Sequence, residues 1–297
     1  MMQVIVDGLV AASFVSLGVV GISLIYNILN FPSFAQGDYL TIGGYMSLIV
    51  VLLLGTAGSI MGLQFGWPLI LAAFCAILLT GLIAELLDRT IFGKLRRGGS
   101  SRITLIMASF GVALMLRNLI VIFFGPDPTY YVFAIEPAIR LWGGARITQN
   151  EIVVLAVTVV LVFGLHLFLS RTRLGKSMRA VSENPSLARV NGIDVDNVIR
   201  WTWFIGSFLA AIAGTLFGLA NGLQPYFGFE LLLPMFAALI VGGVTNIYGA
   251  ILGAVLIGLA ESLTVKFLAA ENRQAVSFIA VILVLMVRPQ GLLGEKE

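Results

Sequence analysis

Charged residues are scarce in this chain of 297 residues: 11% are Asp, Glu, Lys or Arg, whereas 59% are hydrophobic. A soluble globular domain carries about 25% charged residues, so the composition argues against a water-soluble fold. Cysteine and histidine are almost absent. Cys75 is the only cysteine, which rules out an intrachain disulfide. His166 is the only histidine, so the sequence offers neither a Cys/His metal cluster nor a bis-histidine haem site.

Motifs for nucleotide binding and catalysis are also missing. The phosphate-binding pattern G-x-x-x-x-G-K-[ST], which marks many ATPases, does not occur. We therefore expect that this chain neither hydrolyses ATP nor binds a cofactor of its own. The lack of clustered nucleophiles and bases argues against a membrane enzyme. The apolar segments also lack the series of carboxylates that a proton-driven carrier would need. The net charge of +3 is interpreted as a signal for membrane orientation and not for nucleic-acid binding.

Long apolar runs dominate what remains. They are continuous over about twenty residues, which favours helices over barrel strands, whose pattern alternates over about ten. The sequence therefore predicts an all-α polytopic transmembrane bundle of about eight spans, organised as a single domain over residues 1–297. No cleavable signal sequence is evident at its start. The predicted spans are 8–29, 39–55, 67–87, 103–124, 150–170, 201–221, 231–262 and 274–288.

Each half of the chain has one interrupted apolar segment. The segment 231–262 is too long for one crossing, and we predict two shorter helices, 231–243 and 247–262, around a break. The earlier interruption spans 30–38. Broken helices are tolerated in membranes only where they face protein or a water-filled path. The two interruptions therefore supply the candidate translocation-path residues, which are Asn30, Gln36, Gly37, Asp38, Gly43, Gly242, Gly243 and Asn246.

A plainer interpretation of the first interruption remains open. It could be a loop at the inner membrane surface, with Asp38 capping the next helix at its positive end. Arg117 lies within the fourth predicted span. We expect it to pair with a carboxylate of an external loop, such as Glu136, in preference to binding solute. His166 lies in an apolar helix and is expected to pack or form a hydrogen bond within the bundle.

The distribution of basic residues predicts the orientation. Thirteen of the 18 Lys and Arg residues lie between the third and fourth spans, between the fifth and sixth, or at the C-terminus. Cytoplasmic loops carry the excess of Lys and Arg, so these regions and the C-terminus are expected inside and the N-terminus outside. The loop 125–149 then faces outward, either as a structured connector or as a landing surface for an extracytoplasmic partner.

The most polar stretch of the chain is Arg171–Arg200 (RTRLGKSMRAVSENPSLARVNGIDVDNVIR), called here the polar segment. Asn184 can cap a short helix, Pro185 suits its first turn, and Gly192 suits the left-handed residue beyond its end. The stretch also carries small apolar residues that would gain nothing from facing water. We therefore predict a rigid capped helix that docks on a partner. The alternative is a basic loop that only enforces topology.

The chain resembles a known family over nearly its whole length. The resemblance is carried by four pieces: SLIYNILNFPSFAQGDYLTIGGYM, LGKSMRAVSENPSLARVNGID, ALIVGGVTNIYGAILGAVLIGLAES and VLMVRPQGLLG. The family is that of the LivH-type permeases of branched-chain amino acid ABC importers in the bacterial inner membrane. The resemblance implies four partners around this chain in the lipid bilayer: a second homologous permease (LivM-type), two cytoplasmic ATPase subunits that bind ATP and Mg²⁺, and an extracytoplasmic solute-binding protein. It also implies an ATPase-coupling role for Glu183, Asn184, Pro185, Ala188, Arg189, Gly192 and Ile193.

One departure from the family pattern bears on the solute. A familiar form of the first piece reads N-F-A-H-G, whereas this chain has Gln36 in place of the histidine. We expect a permease for branched-chain or other neutral hydrophobic amino acids. A permease of the same type for urea or short-chain amides is an alternative, and a secondary transporter driven by an ion gradient is a more distant one.

Overall fold

The computed structural model describes residues 1–55, 66–131, 138–140, 144–268, 272–288 and 290–294. Helices make up most of them. Two short strands, β1 (Ile139–Arg140) and β2 (Arg146–Ile147), pair antiparallel, with Ile139 opposite Ile147. The helices are α1 Met2–Leu29, α2 Ala35–Leu54, α3 Trp67–Leu87, α4 Gly93–Arg97, α5 Arg102–Phe124, α6 Gln149–Arg171, α7 Arg173–Glu183, α8 Pro185–Val190, α9 Val195–Asn221, α10 Phe227–Gly242, α11 Ile247–Phe267 and α12 Arg273–Val287.

The polytopic helical class is confirmed. Within the described residues, seven helices are long and apolar enough to cross a membrane: α1, α2, α3 together with its extension, α5, α6, α9 and α11. The extension is a π-helical stretch, Asp88–Phe92, that joins α3 to α4. Helices α10 and α12 are apolar but shorter. The predicted break in the long seventh segment is confirmed, since α10 ends at Gly242 and α11 begins at Ile247.

Several helices begin earlier than the hydropathy pattern suggests. Helix α9 begins at Val195 instead of residue 201, because Asp194 caps it by accepting a hydrogen bond from the Asn197 amide. Helix α6 begins with a reciprocal capping box between Thr148 and Glu151. Polar first turns of this kind are invisible to a search for apolar runs.

Helices α1 and α9 form the centre of the bundle. Helix α1 packs along α9, α10 and α11, whereas α9 packs along α1, α2 and α3. The two halves are therefore built alike, with α1–α3 corresponding to α9–α11. Because four spanning helices, α2, α3, α5 and α6, lie between α1 and α9, the two run in opposite directions, as in inverted repeats of transporters. By packing, the segment before α2 corresponds to the segment before α10.

The two ends of the bundle differ in charge. Successive spanning helices alternate in direction, so α4, α7 and α8 lie at one end, which we call the basic end. The starts of α1, α6 and α12 lie at the other, which we call the far end. At the far end Tyr131 holds the connecting loop to α2: its hydroxyl donates to the Gly44 carbonyl (2.8 Å) and contacts the Ser47 hydroxyl (2.5 Å). Burial raises the pKa of Tyr131.

Candidate translocation path and coupling surface

The start of α2 lies inside the bundle. Asn30 ends α1 in the left-handed conformation (φ 57°), and the chain then runs through Phe31–Phe34 into α2. The Gln36 side chain is fully buried, and its Nε2 donates to the Gly206 carbonyl of α9 (2.9 Å). Asp38 is buried as well and caps nothing, because the cap position is Phe34 and no side chain caps it. The surface-loop interpretation of this interruption is therefore wrong.

Asp38 forms a buried ion pair with Arg117 of α5. Arg117 Nε and one terminal nitrogen donate to the two carboxylate oxygens of Asp38, each over 3.1 Å. The Arg117 guanidinium carbon also lies 4.1 Å from the centroid of the Phe229 ring of α10. Among the described residues the partner of Arg117 is therefore Asp38, and Glu136, the loop carboxylate suggested by the sequence, lies outside them. A buried charge requires a close partner, and α2 supplies it.

Glycines bring α2, α9 and α10 into direct backbone contact. A Cβ at Gly37 would overlap the Gly228 carbonyl, and one at Gly228 would overlap the Gly37 carbonyl. Gly43 packs in the same way on Ala211 of α9. Small residues permit such close approach between membrane helices. Gly37 and Gly43 therefore act as packing positions in this conformation.

Polar atoms without partners cluster around the start of α2. Within the described part of the chain, Ser33 Oγ, Gln36 Oε1, Tyr39 Oη and Trp203 Nε1 are buried and lack hydrogen-bond partners. The rings of Tyr39 and Trp203 lie edge to face with centroids 6.4 Å apart, and Phe92 stacks on Trp203 at 5.0 Å. An unsatisfied buried polar group costs about 1–3 kcal/mol. Such a cluster is a place where water or a polar solute group would be stabilised.

The second interruption, between α10 and α11, lies at the basic end. Gly243 has φ 110°, and Asn246 caps α11 by accepting from the amides of Tyr248 and Gly249 (3.0 and 3.2 Å). The chain's own segment 290–294 covers this turn: the Leu293 amide donates to the Gly242 carbonyl (3.0 Å), and Asn246 Nδ2 donates to the Leu293 carbonyl (3.1 Å). The eight candidate path residues thus fall into two groups.

A cavity of about 580 Å³ lies at the basic end, between the end of α1, the turn before α11 and the polar segment. Asn30 and Asn246, one from each group of candidates, both line it, together with Arg179 and Glu183 of α7. The structure therefore brings the two interruptions together at this cavity and places the polar segment beside them. Nearby, His166 Nδ1 lies 2.5 Å from the Tyr248 hydroxyl, so the expected hydrogen bond of His166 within the bundle is confirmed.

The polar segment contains the short capped helix that the sequence predicts. Asn184 Oδ1 accepts a hydrogen bond from the Leu187 amide (3.0 Å), Pro185 begins α8, and Gly192 has φ 80°. The Ile193 amide caps the C-terminus of α8 by donating a hydrogen bond to the Ala188 carbonyl (3.0 Å). Five of the seven predicted coupling residues are exposed, whereas Ala188 is buried and Ile193 is half-buried. The exposed ones are Glu183, Asn184, Pro185, Arg189 and Gly192.

Two apolar side chains that the family motif did not single out share this surface. Leu187 is 60% exposed and Val190 is 85% exposed, although both belong to a helix that is held at each end. Solvent-facing apolar groups next to Arg189 form a surface suited to a protein partner. Among the described residues, no group of three or more His, Cys, Asp or Glu side chains is arranged to hold a metal ion.

The chain is similar to transport permeases over its whole length. A sequence profile described as "Branched-chain amino acid transport system / permease component" matches residues 4–286. The high-affinity branched-chain amino acid transport system permease protein BraD of Pseudomonas aeruginosa is 33% identical over 306 residues, which cover 100% of this chain and 96% of that protein. The LivH protein of Escherichia coli K12, described in the same words, is 31% identical over 302 residues with the same coverage.

A solved structure shares the fold. One chain of the PsaBC complex from Streptococcus pneumoniae, determined with a Fab, aligns with a TM-score of 0.52 and 13% sequence identity. The alignment covers 96% of this chain and 91% of that chain. At this identity the likeness concerns the helical architecture alone.

Proposed function

Because the chain belongs to the family of branched-chain amino acid transport permease components, which are not enzymes, we propose that it is the LivH-type permease subunit of an ATP-driven importer. In this proposal it forms part of the translocation path and couples to separate ATPase subunits. The observation that carries the proposal is α8: a helix capped at both ends that exposes Leu187, Val190 and Arg189. Such a helix can transmit a push from a partner into the bundle.

The absence of a phosphate-binding motif in the sequence supports a separate motor. Two cytoplasmic ATPases binding ATP and Mg²⁺ would seat the exposed coupling residues Glu183, Asn184, Pro185, Arg189 and Gly192. Ala188 and Ile193, which face the protein, would transmit the movement. Helix α8 contacts α7, and α7 in turn contacts α1, α6 and α9. A displacement of α8 would therefore be passed through α7 to α1 and α9 at the centre of the bundle. A LivM-type permease and an extracytoplasmic binding protein would complete the assembly.

The path in this proposal passes the start of α2. Its unsatisfied polar atoms favour a polar solute group there, and the exposed Asn118 and Gly111 of α5 suit a face covered by a second permease instead of lipid. Gln36, Gly37, Asp38 and Gly43 belong to this section. Asn30, Gly242, Gly243 and Asn246 belong to the basic end, where their turns would change conformation as the ATPases close.

The solute in this proposal is a branched-chain or similar hydrophobic amino acid, because the curated relatives with 30–33% identity are described as branched-chain amino acid permeases. The basic end faces the cytoplasm of a bacterial cell, following the excess of Lys and Arg there. Residues 290–294 then lie on the cytoplasmic side, and the start of α1 lies on the extracytoplasmic side of the inner membrane.

The test uses the complete transporter reconstituted in liposomes with its ATPases, second permease and binding protein. Arg189→Glu and Pro185→Gly should each lower ATP-dependent leucine uptake strongly while the subunits still assemble and hydrolyse ATP. Arg173→Glu is the matched control, since Arg173 is an exposed cation of the same segment outside α8. Uptake in both α8 variants equal to that of the control would refute the coupling role, and uptake without any ATPase would refute the importer.

A further inference from the structure

A second cavity, at the far end of the bundle, has no part in the coupling just described. It measures about 600 Å³ and lies between the starts of α1, α6 and α12 and the ends of α9 and α11. We call it the outer pocket. Its size falls within the range of about 300–1,000 Å³ that is typical of small-molecule sites. The Ser262 hydroxyl donates to the Val4 carbonyl (2.9 Å), which ties α11 to α1 beside the pocket.

The rim of the outer pocket carries both signs of charge. Asp7 and Glu151 supply carboxylates, and Lys266 and Arg273 supply cations. One oxygen of each carboxylate is used within the protein: Asp7 Oδ1 accepts from Gln3 Nε2 (2.7 Å), and Glu151 Oε2 accepts from the Thr148 amide (2.7 Å). The second oxygen of each makes no hydrogen bond to any described residue. Two acceptors therefore remain for a cationic group.

Hydrogen bonds within the protein fix the position of the Arg273 side chain. Its Nε donates to Glu261 Oε2 (2.8 Å), and the other oxygen of Glu261 accepts from the Ser277 hydroxyl (2.7 Å). Glu261 is only 1% exposed, so its position is fixed by packing. The two terminal nitrogens of Arg273 have no acceptor among the described residues. A guanidinium held in this way can bind a carboxylate through two parallel hydrogen bonds.

The floor of the outer pocket is apolar. Phe14 lies seven residues after Asp7 on α1, which places it about 10 Å deeper at 1.5 Å per residue. Phe14 packs edge to face on Phe217 (centroids 5.3 Å apart), and Phe217 stacks on Phe227 (4.5 Å). Ala11, a small residue of the same helix, also lines the cavity. The pocket thus combines a rim of mixed charge with a deep apolar floor.

We propose that the outer pocket binds a free zwitterionic amino acid with an apolar side chain. The carboxylate of the ligand binds Arg273, its ammonium group binds the free oxygens of Asp7 and Glu151, and its side chain contacts Phe14 and Phe217. The assignment rests on the proposed function in one respect, because the far end is the side from which solute would arrive. The permease would then select solute itself before the solute reaches the start of α2.

The experiment measures equilibrium binding of radiolabelled leucine to the full chain in nanodiscs, without ATPases or binding protein. Arg273→Gln should weaken leucine binding by about tenfold or more, since it removes the guanidinium charge and its two hydrogen bonds to the ligand carboxylate. Asp7→Asn, at an exposed position of the rim, should weaken it as well, and Ala11→Phe should abolish it by filling the floor. Arg102→Gln is the control, because it removes an exposed cation at the basic end.

Two competitors separate the parts of the site. Isoamylamine lacks the carboxylate and 4-methylpentanoate lacks the ammonium group, so each should displace leucine at least tenfold less well than unlabelled leucine. In the Arg273→Gln protein the preference for leucine over isoamylamine should shrink, which a general loss of folding would not produce.

Three results would overturn the proposal: no saturable leucine binding, binding unchanged in both Asp7→Asn and Ala11→Phe, or a co-purified phospholipid that occupies the pocket and is lost from these variants. The proposed function fails in a different way, through absence of ATP-dependent uptake by the whole transporter. Normal uptake together with unaltered leucine binding in the pocket variants would refute the proposed outer binding site but would not contradict the proposed importer function.

Discussion

The start of α2 and the helix α8 are both polar interruptions in an apolar chain, yet the protein treats them in opposite ways. Around α2, Asp38 and Arg117 are buried and satisfy one another. On α8, Arg189 and the apolar Val190 both face outward. The charges of the interior interruption are paired within the protein, whereas the exposed surface of α8 is left for a partner to cover. Changes at the first should therefore cost stability, and changes at the second should cost coupling.

The glycines of the two regions show the same contrast. Gly228 beside α2 is needed for space, because the Gly37 carbonyl occupies the place of a Cβ. A Cβ at Gly192, after α8, would lie in open space, so this glycine is needed for its left-handed backbone conformation (φ 80°). The first glycine permits the close approach of α10 to α2. The second only ends a short helix.

The largest effect is expected from Asp38→Ala, which leaves Arg117 charged and unpaired inside the bundle. Removing one partner of a buried pair costs about 3–5 kcal/mol. Glu85→Ala is the control, because Glu85 pairs with Arg89 at an exposed site, where a pair contributes about 0–1 kcal/mol. Thermal unfolding of the purified chain in detergent measures both. Equal losses in the two variants would show that the interior pair is not what holds α2.

Smaller changes in stability, of opposite sign, are expected when either of two helix glycines is replaced by alanine. Gly228→Ala should destabilise the bundle by about 1–3 kcal/mol, because the new Cβ meets the Gly37 backbone. Gly164→Ala on α6 should stabilise it by up to about 1 kcal/mol, since no atom lies near that position and Ala favours the helix. Unfolding in detergent measures both, and a stabilised Gly228→Ala protein would contradict the close contact of α2 with α10.

What could be predicted from the sequence was local. The break between Gly242 and Ile247 and the caps of α8 depend on residues a few positions apart, and both are confirmed. The partner of Arg117 could not be found, because Asp38 lies 79 positions away and any carboxylate satisfies the same rule. The contact of residues 290–294 with Gly242 also joins positions that are distant in sequence.

The outer pocket illustrates the same limit more strongly. Its four charged residues come from four different helices, and each alone is an ordinary terminal residue of a membrane span. Only the folded bundle brings them around one cavity. The packing of the halves likewise matches the segment before α2 with the segment before α10, although the glycine-rich turn after α10 is the more conspicuous interruption in the sequence.

The smallest effect on stability, and the sharpest test of the contrast, is expected from Asn184→Ala. Losing the cap costs about 1 kcal/mol at most sites, and here the loss falls on a six-residue helix at the surface. We expect an unfolding temperature close to that of the unmodified protein, but a lower ratio of leucine uptake to ATP hydrolysis in the complete transporter. Asn184→Ser keeps a capping oxygen and should preserve the ratio. If Asn184→Ala instead lowered stability as much as Asp38→Ala, α8 would be part of the structural core, and its exposed face would no longer indicate a partner.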